Sequence, residues 1–102
     1  MSELKPMHNP PHPGEFITDV YLQPFGLSGR ELAKQLDVSS SALSRVLSGA
    51  SRASPEMALR LSRALGRSAE SWLAMQDAHD PWVARGTLDL GRVHPLELAA
   101  PA

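Results

Sequence analysis

Cysteine is absent from the 102 residues. That excludes a disulfide framework and any thiolate-held metal. No apolar run approaches the roughly 20 residues that a membrane-spanning helix needs. The N-terminal stretch also lacks the apolar core of a signal peptide. The expectation is a soluble, cytoplasmic chain with one small domain and one core. Paired carboxylates suited to acid–base work are missing too. The hydroxyl run Ser39, Ser40 and Ser41 has no nearby base to activate it, so an enzyme is disfavoured. His8 and His12 are four residues apart, but Pro10 and Pro11 oppose a helix there and no third ligand is evident. They read as surface histidines, and no metal or cofactor is expected.

An excess of positive charge is lacking as well, since the net charge is −1. The distribution matters more than the total. Between Ser28 and Arg67 lie Arg30, Lys34, Arg45, Arg52, Arg60, Arg63 and Arg67 against Glu31, Asp37 and Glu56, a balance of +4. The rest of the chain carries −5. A basic centre between acidic ends suits a local phosphate-binding surface and a separate acidic surface for a basic partner.

What is present is organised around Gly29 to Ser48. Leu32, Ala33 and Leu36, then Leu43, Val46 and Leu47, recur at helical spacing on either side of a tight turn holding Val38. Ser40, Ser41, Ser44, Arg45 and Ser48 are left facing outward on the second helix. A short polar face with one cation fits a major groove.

Start and stop signals predict five helices, beginning near Pro13, Gly29, Ser40, Pro55 and Ala69. Residues 1–12 read as a flexible arm, 13–82 as the helical domain and 83–102 as a tail, disordered or partner-binding. Phe16, Ile17, Val20 and Tyr21 form the buried stripe of the first helix, which is expected to end ahead of Pro24. Ser28 and Glu31 have capping-box spacing. Ser39 caps the third helix and Gly49 stops it. Phe16, Ile17, Val20, Leu32, Ala33, Leu36, Val38, Leu43, Val46, Leu47, Leu61 and Leu65 form the expected core. Pro81 is expected to break or restart the chain, with a short extra turn from Asp80-Pro81 to Gly86, and Leu88-Asp89-Leu90 would suit an added strand.

Leu32-Ala33, Asp37-Val38, Leu43 and Val46, at their spacing, resemble the helix-turn-helix of phage repressors. Asp37 stands where that group usually has Gly, and Asp tolerates the left-handed backbone the turn needs. Gly29 stands where many relatives have a phosphate-binding Gln. The run from Ala53 to Gln76, with HPGEFI at His12 to Ile17, is similar to the HigA/VapI antitoxins of the XRE family from about Pro10 to Trp82.

The resemblance implies an all-α, five-helix phage-repressor-like bundle. It implies an antitoxin of a type II toxin–antitoxin system that neutralises a small basic mRNA-cleaving toxin. As a homodimer, such an antitoxin represses its own operon by binding double-stranded operator DNA. By position, Ser39, Ser40, Ser41, Ser44, Arg45 and Ser48 would face the bases, and Arg30, Lys34 and Arg52 the phosphates. Arg60 and Arg63 read as a solvated face. Trp72 reads equally as core or, with Leu73 and Gln76, as a dimer interface. A stand-alone repressor and an interaction module without DNA binding are the rival readings.

Overall fold

A computed structural model describes residues 9–99. His8 and most of the expected N-terminal arm lie outside this range. The described residues are all-helical, with no strand. The elements are α1 (Pro13–Ile17), a π-helical turn (Thr18–Leu22), α2 (Gln23–Phe25), α3 (Gly29–Leu36), α4 (Ser40–Leu47), α5 (Pro55–Leu65) and α6 (Ala69–Thr87). α1, the π turn and α2 form one continuous helical segment. All five expected helix starts are therefore found.

Local chemistry explains those starts. The first backbone N–H groups of a helix lack intrahelical partners, and a side-chain oxygen just ahead satisfies one of them. Ser28 and Glu31 form the full capping box, with Ser28 N donating to Glu31 Oε1 at 2.8 Å and Glu31 N to Ser28 Oγ at 3.1 Å. Ser39, Ser54 and Ser68 accept from Ala42, Met57 and Ser71 respectively.

Two proline expectations fail. The first helix does not end at Gln23 but continues through Pro24 to Phe25. A proline inside an α-helix has no N–H and crowds the carbonyl four residues back. Here the preceding turn widens to the π repeat, with Gln23 N–H donating to Thr18 O. The added residue rotates the apolar stripe. Ile17 and Leu22 are buried, whereas Val20, expected in the core, is 40% exposed. α6 likewise runs through Pro81 to Thr87 instead of breaking. Pro81 is exposed, and the turn before it is held by Asp80, which accepts from Gln76 Nε2 at 2.8 Å and Arg52 Nε at 2.6 Å.

The core joins Ile17, Leu22, Leu32, Ala33, Leu36, Leu43, Val46, Met57, Ala58, Leu61, Ala69 and Trp72. Phe16, Val38, Leu47 and Leu65 pack partly buried around it. Trp72 is fully buried beside Phe16, with ring centroids 5.8 Å apart in an edge-on arrangement. Gln76 is also buried, accepting from Ala53 N at 2.8 Å. Of the two readings of Trp72 the core one holds, and Gln76 is buried with it. Both side chains are buried within the chain, and Leu73 is half-buried against the core.

His12 is corrected as well. It is buried, and its Nδ1 accepts from Gly14 N at 2.9 Å as the cap of α1. Its ring meets His79 edge-on at 5.2 Å. Burial, then the neighbouring His79, hold its pKa below the ordinary 6.5, outweighing the opposing Ser51 backbone, Asp80 and Glu15. The unfolded chain therefore binds the proton more readily. Stability from this site is present above the unfolded pKa and is lost as pH falls below it. The midpoint of thermal unfolding is expected to drop between about pH 7.5 and 5.5. His12→Asn, which keeps a capping oxygen but does not titrate, should flatten that slope. Calorimetry of both proteins across the range checks this; equal slopes would remove His12 from the account.

Beyond α6, residues 88–99 contain neither helix nor strand, so the expected strand at Leu88–Leu90 is not formed. Asp89 Oδ1 instead accepts from Gly91 N at 2.9 Å. Leu88, Leu90, Val93, Leu96 and Leu98 are all more than half exposed.

Candidate nucleic-acid interface

α3 and α4 meet at a turn built on Asp37, whose φ of 58° and ψ of 46° place it in the left-handed region. The sequence reading that Asp replaces Gly in that conformation holds. A contact invisible in the local sequence braces it. Arg60 Nη1 donates to Leu36 O at 2.8 Å and Asp37 O at 3.1 Å, capping the end of α3 from α5. Glu56 steadies the same guanidinium at 2.9 Å. Arg60 is therefore a turn brace and not merely a solvated residue.

α4 is seated from behind. Leu43 and Val46 are buried in the core, and Gly14 of α1 lies against the α4 backbone. A Cβ at position 14 would stand 2.0 Å from Val46 O and 2.7 Å from Leu47 Cα. Only glycine permits this approach. The sequence reading missed it, because a glycine near a helix start has many explanations.

The outward side of α4 carries Ser40, Ser41, Ser44, Arg45 and Ser48, all exposed. Ser39 is occupied as the cap, and its Oγ lies 3.3 Å from Ser41 Oγ. Ser48 Oγ donates to Arg45 O at 3.2 Å. Ser40, Ser44 and the Arg45 guanidinium have no side-chain partner among the described residues. Arg30 and Lys34 are exposed on α3. Arg52 differs from them. It pairs with Asp80 at 2.6 Å and Asp77 at 3.6 Å, which ties the loop after α4 to α6. Burial alone would raise the Asp80 pKa, but the hydrogen bonds from Arg52 and Gln76 outweigh it and hold the carboxyl below its usual range. The free positive face therefore consists of Arg30, Lys34 and Arg45. No cluster of His, Cys, Asp and Glu among the described residues could hold a metal.

Two short helices, a left-handed turn and an outward helix with one unpaired cation match a known arrangement. Residues 21–72 fit the helix-turn-helix family model. The chain belongs to the helix-turn-helix family. Virulence-associated protein I of Dichelobacter nodosus is 45% identical over 69 residues, covering 68% of this chain and 64% of that relative. The chain thus spans less than two thirds of that relative's length. Antitoxin HigA-1 of Vibrio cholerae is 32% identical over 81 residues, covering 79% of this chain and 76% of the relative. Among solved helix-turn-helix structures, the Pseudomonas aeruginosa antitoxin HigA with the higBA promoter aligns with a TM-score of 0.77 and 31% identity, over 86% of this chain and 96% of that one. No described helix of this family member is long and apolar enough to cross a membrane.

Proposed function

We propose that this chain is a cytoplasmic HigA-type antitoxin that represses its own operon as a homodimer and neutralises a small basic mRNA-cleaving toxin. The observation that carries the DNA half is the α4 surface. Its hydroxyls and single unpaired guanidinium stand outward on a helix fixed from behind by Gly14 and Leu43. Arg45 reads a base edge, with Ser40, Ser41, Ser44 and Ser48 giving close approach and lesser contacts. Arg30 and Lys34 hold phosphates. Ser39 and Arg52 act indirectly, one by capping α4 and the other by fixing the loop behind it.

Arg45→Ala should weaken operator binding by about 1–3 kcal/mol and leave scrambled DNA nearly unaffected. Lys34→Ala should weaken both alike and lower the salt slope by about one unit. Titrations of the two variants on operator and scrambled duplexes decide the matter. Normal operator binding by Arg45→Ala would sink the assignment. The operator should be an inverted repeat, with recognition helices roughly 34 Å apart in the dimer.

The toxin half rests on charge. An RNA-cleaving protein handles a polyanion and is expected to be basic. The acidic residues suited to it are Glu15 and Asp19 on the first helical segment, both exposed, with Asp77 and Asp89. Asp80 is already matched by Arg52 at 2.6 Å, and Asp77 shares the same guanidinium at 3.6 Å. Co-expression with the product of the neighbouring small reading frame tests this: a stable complex supports an antitoxin, and its absence leaves a stand-alone repressor.

A further inference from the structure

Gly14 can press on α4 only while the start of α1 keeps its place, and the cap from His12 keeps it there. His12 is 7% exposed and fills a corner where three elements meet. Its Nδ1 accepts from Gly14 N at 2.9 Å. Its ring lies against Gly49, where an added Cβ would stand 3.9 Å from Cγ and Cδ2. Gly49 follows the end of α4, and its N–H returns to Val46 O at 3.1 Å. That is the same carbonyl against which Gly14 is pressed. On the third side stands α6, whose His79 ring meets His12 edge-on and whose Nδ1 lies 2.9 Å from Pro10 O.

The cap also fixes the proton. Because Nδ1 accepts, the neutral ring carries its hydrogen on Nε2. That Nε2 is buried, and the nearby Ser51 backbone offers it no bond of ordinary geometry. An added proton must go to Nδ1. There it would confront the Gly14 N–H, two donors 2.9 Å apart, and abolish the cap. It would also set a full positive charge at the positive end of the first helical segment. The groups facing the ring do not offset this. α1 brings Glu15, which is exposed. α6 brings His79, a like charge when protonated, and Asp80, already engaged by Arg52 and Gln76. The loop after α4 brings the Ser51 backbone and, next to it, Arg52, whose guanidinium Asp80 takes.

We infer that His12 positions the recognition helix and couples operator binding to pH: the neutral ring seats Gly14 against α4, and a proton added at Nδ1 unseats it. Acidification thus loosens the hold of α4 on the operator while the core beneath it stays packed. This rests on the DNA reading of α4 and adds its regulation. The sign is diagnostic. Added protons make a protein more positive and ordinarily strengthen its grip on phosphates. A loss of binding on acidification is the opposite of what general charge predicts.

The probe is a duplex from upstream of the chain's own gene. It is titrated with the full chain between about pH 7.5 and 5.0, at constant ionic strength and at a temperature where circular dichroism shows the chain folded throughout. Kd should rise at least about threefold toward the acid end. His12→Asn, whatever its affinity at neutral pH, should lose that rise. His79→Gln should keep it and move it to higher pH, because the like charge beside His12 is gone. The unsubstituted chain gives a second measure in ¹⁵N–¹H spectra without DNA. Amides of Gly14, Val46, Leu47 and Gly49 should titrate with one midpoint, that of the His12 ring protons. A shift confined to Gly14 would show that the proton acts only locally and would overturn the coupling. Binding that holds or tightens on acidification would overturn this inference alone, whereas no binding at neutral pH would overturn the DNA reading beneath it as well. A rise that His12→Asn keeps, or that His79→Gln removes, would take the switch away from His12.

Discussion

Gly14→Ala is expected to lower the unfolding free energy by about 3 kcal/mol, a large fraction of what a domain this small possesses. The new methyl would meet Val46 O at 2.0 Å and the Leu47 backbone at 2.7 Å. Neither is a flexible side-chain end that can swing away, so α1 or α4 must move. Alanine has the better helix propensity, worth at most about 1 kcal/mol, and is too weak to offset the overlap. Movement of either helix changes the seat of α4, which carries Arg45, so operator affinity should fall beyond the loss of folded protein. Chemical denaturation read by circular dichroism measures the first effect, and titration at a temperature where both proteins are folded measures the second. A Gly14→Ala chain as stable as the parent would show that the two helices do not approach so closely.

Trp72→Ala should cost about 3–5 kcal/mol, the range for truncating a fully buried large aromatic. The indole has no exposure and contacts Phe16 and Tyr21, with the Arg67 guanidinium 5.7 Å from its ring. The same guanidinium lies 4.9 Å from the Phe16 ring, so one cation spans both aromatics. The decisive feature of this loss is that it should not depend on protein concentration. A residue anchoring a dimer gives a deficit that shrinks as concentration rises, by mass action. A core residue gives the same deficit throughout. Denaturation at two widely separated concentrations distinguishes these, and a concentration-dependent deficit would return Trp72 to an interface.

The helix starts were legible because each is decided within four residues. Ser28 with Glu31, Ser39, Ser54 ahead of Pro55, and Ser68 all act as local signals, and each cap is found in the structure. The left-handed Asp37 was legible for the same reason. The features that escaped depend on residues distant in sequence. Arg60 looked like one more surface cation, and only its position 23 residues along the chain from Asp37 makes it the brace of the turn. Gln76 reads from the sequence as part of a dimer interface, and its burial follows from meeting Ala53 N and Asp80 together. Pro24 and Pro81 were read as terminators because local sterics say so. One is absorbed by a widened turn, and the other stands exposed beyond an anchored Asp80. Among the expected site residues, Arg52 shows the same limit. Its charge was visible, but not that Asp80 and Asp77 would claim it.

The uninterrupted α6 and the segment beyond it also determine how the molecule moves through solvent. A rod of this length spans roughly 28 Å. The Cα radius of gyration is 17.7 Å and the principal extents are 59 × 33 × 28 Å. A compact chain of about 100 residues would have a radius of gyration near 13 Å. Frictional drag follows shape as well as mass, so one copy should elute from a sizing column ahead of compact standards of equal mass. Elution volume alone would therefore overstate the number of subunits, and light scattering or sedimentation equilibrium is the proper measure of how many chains travel together.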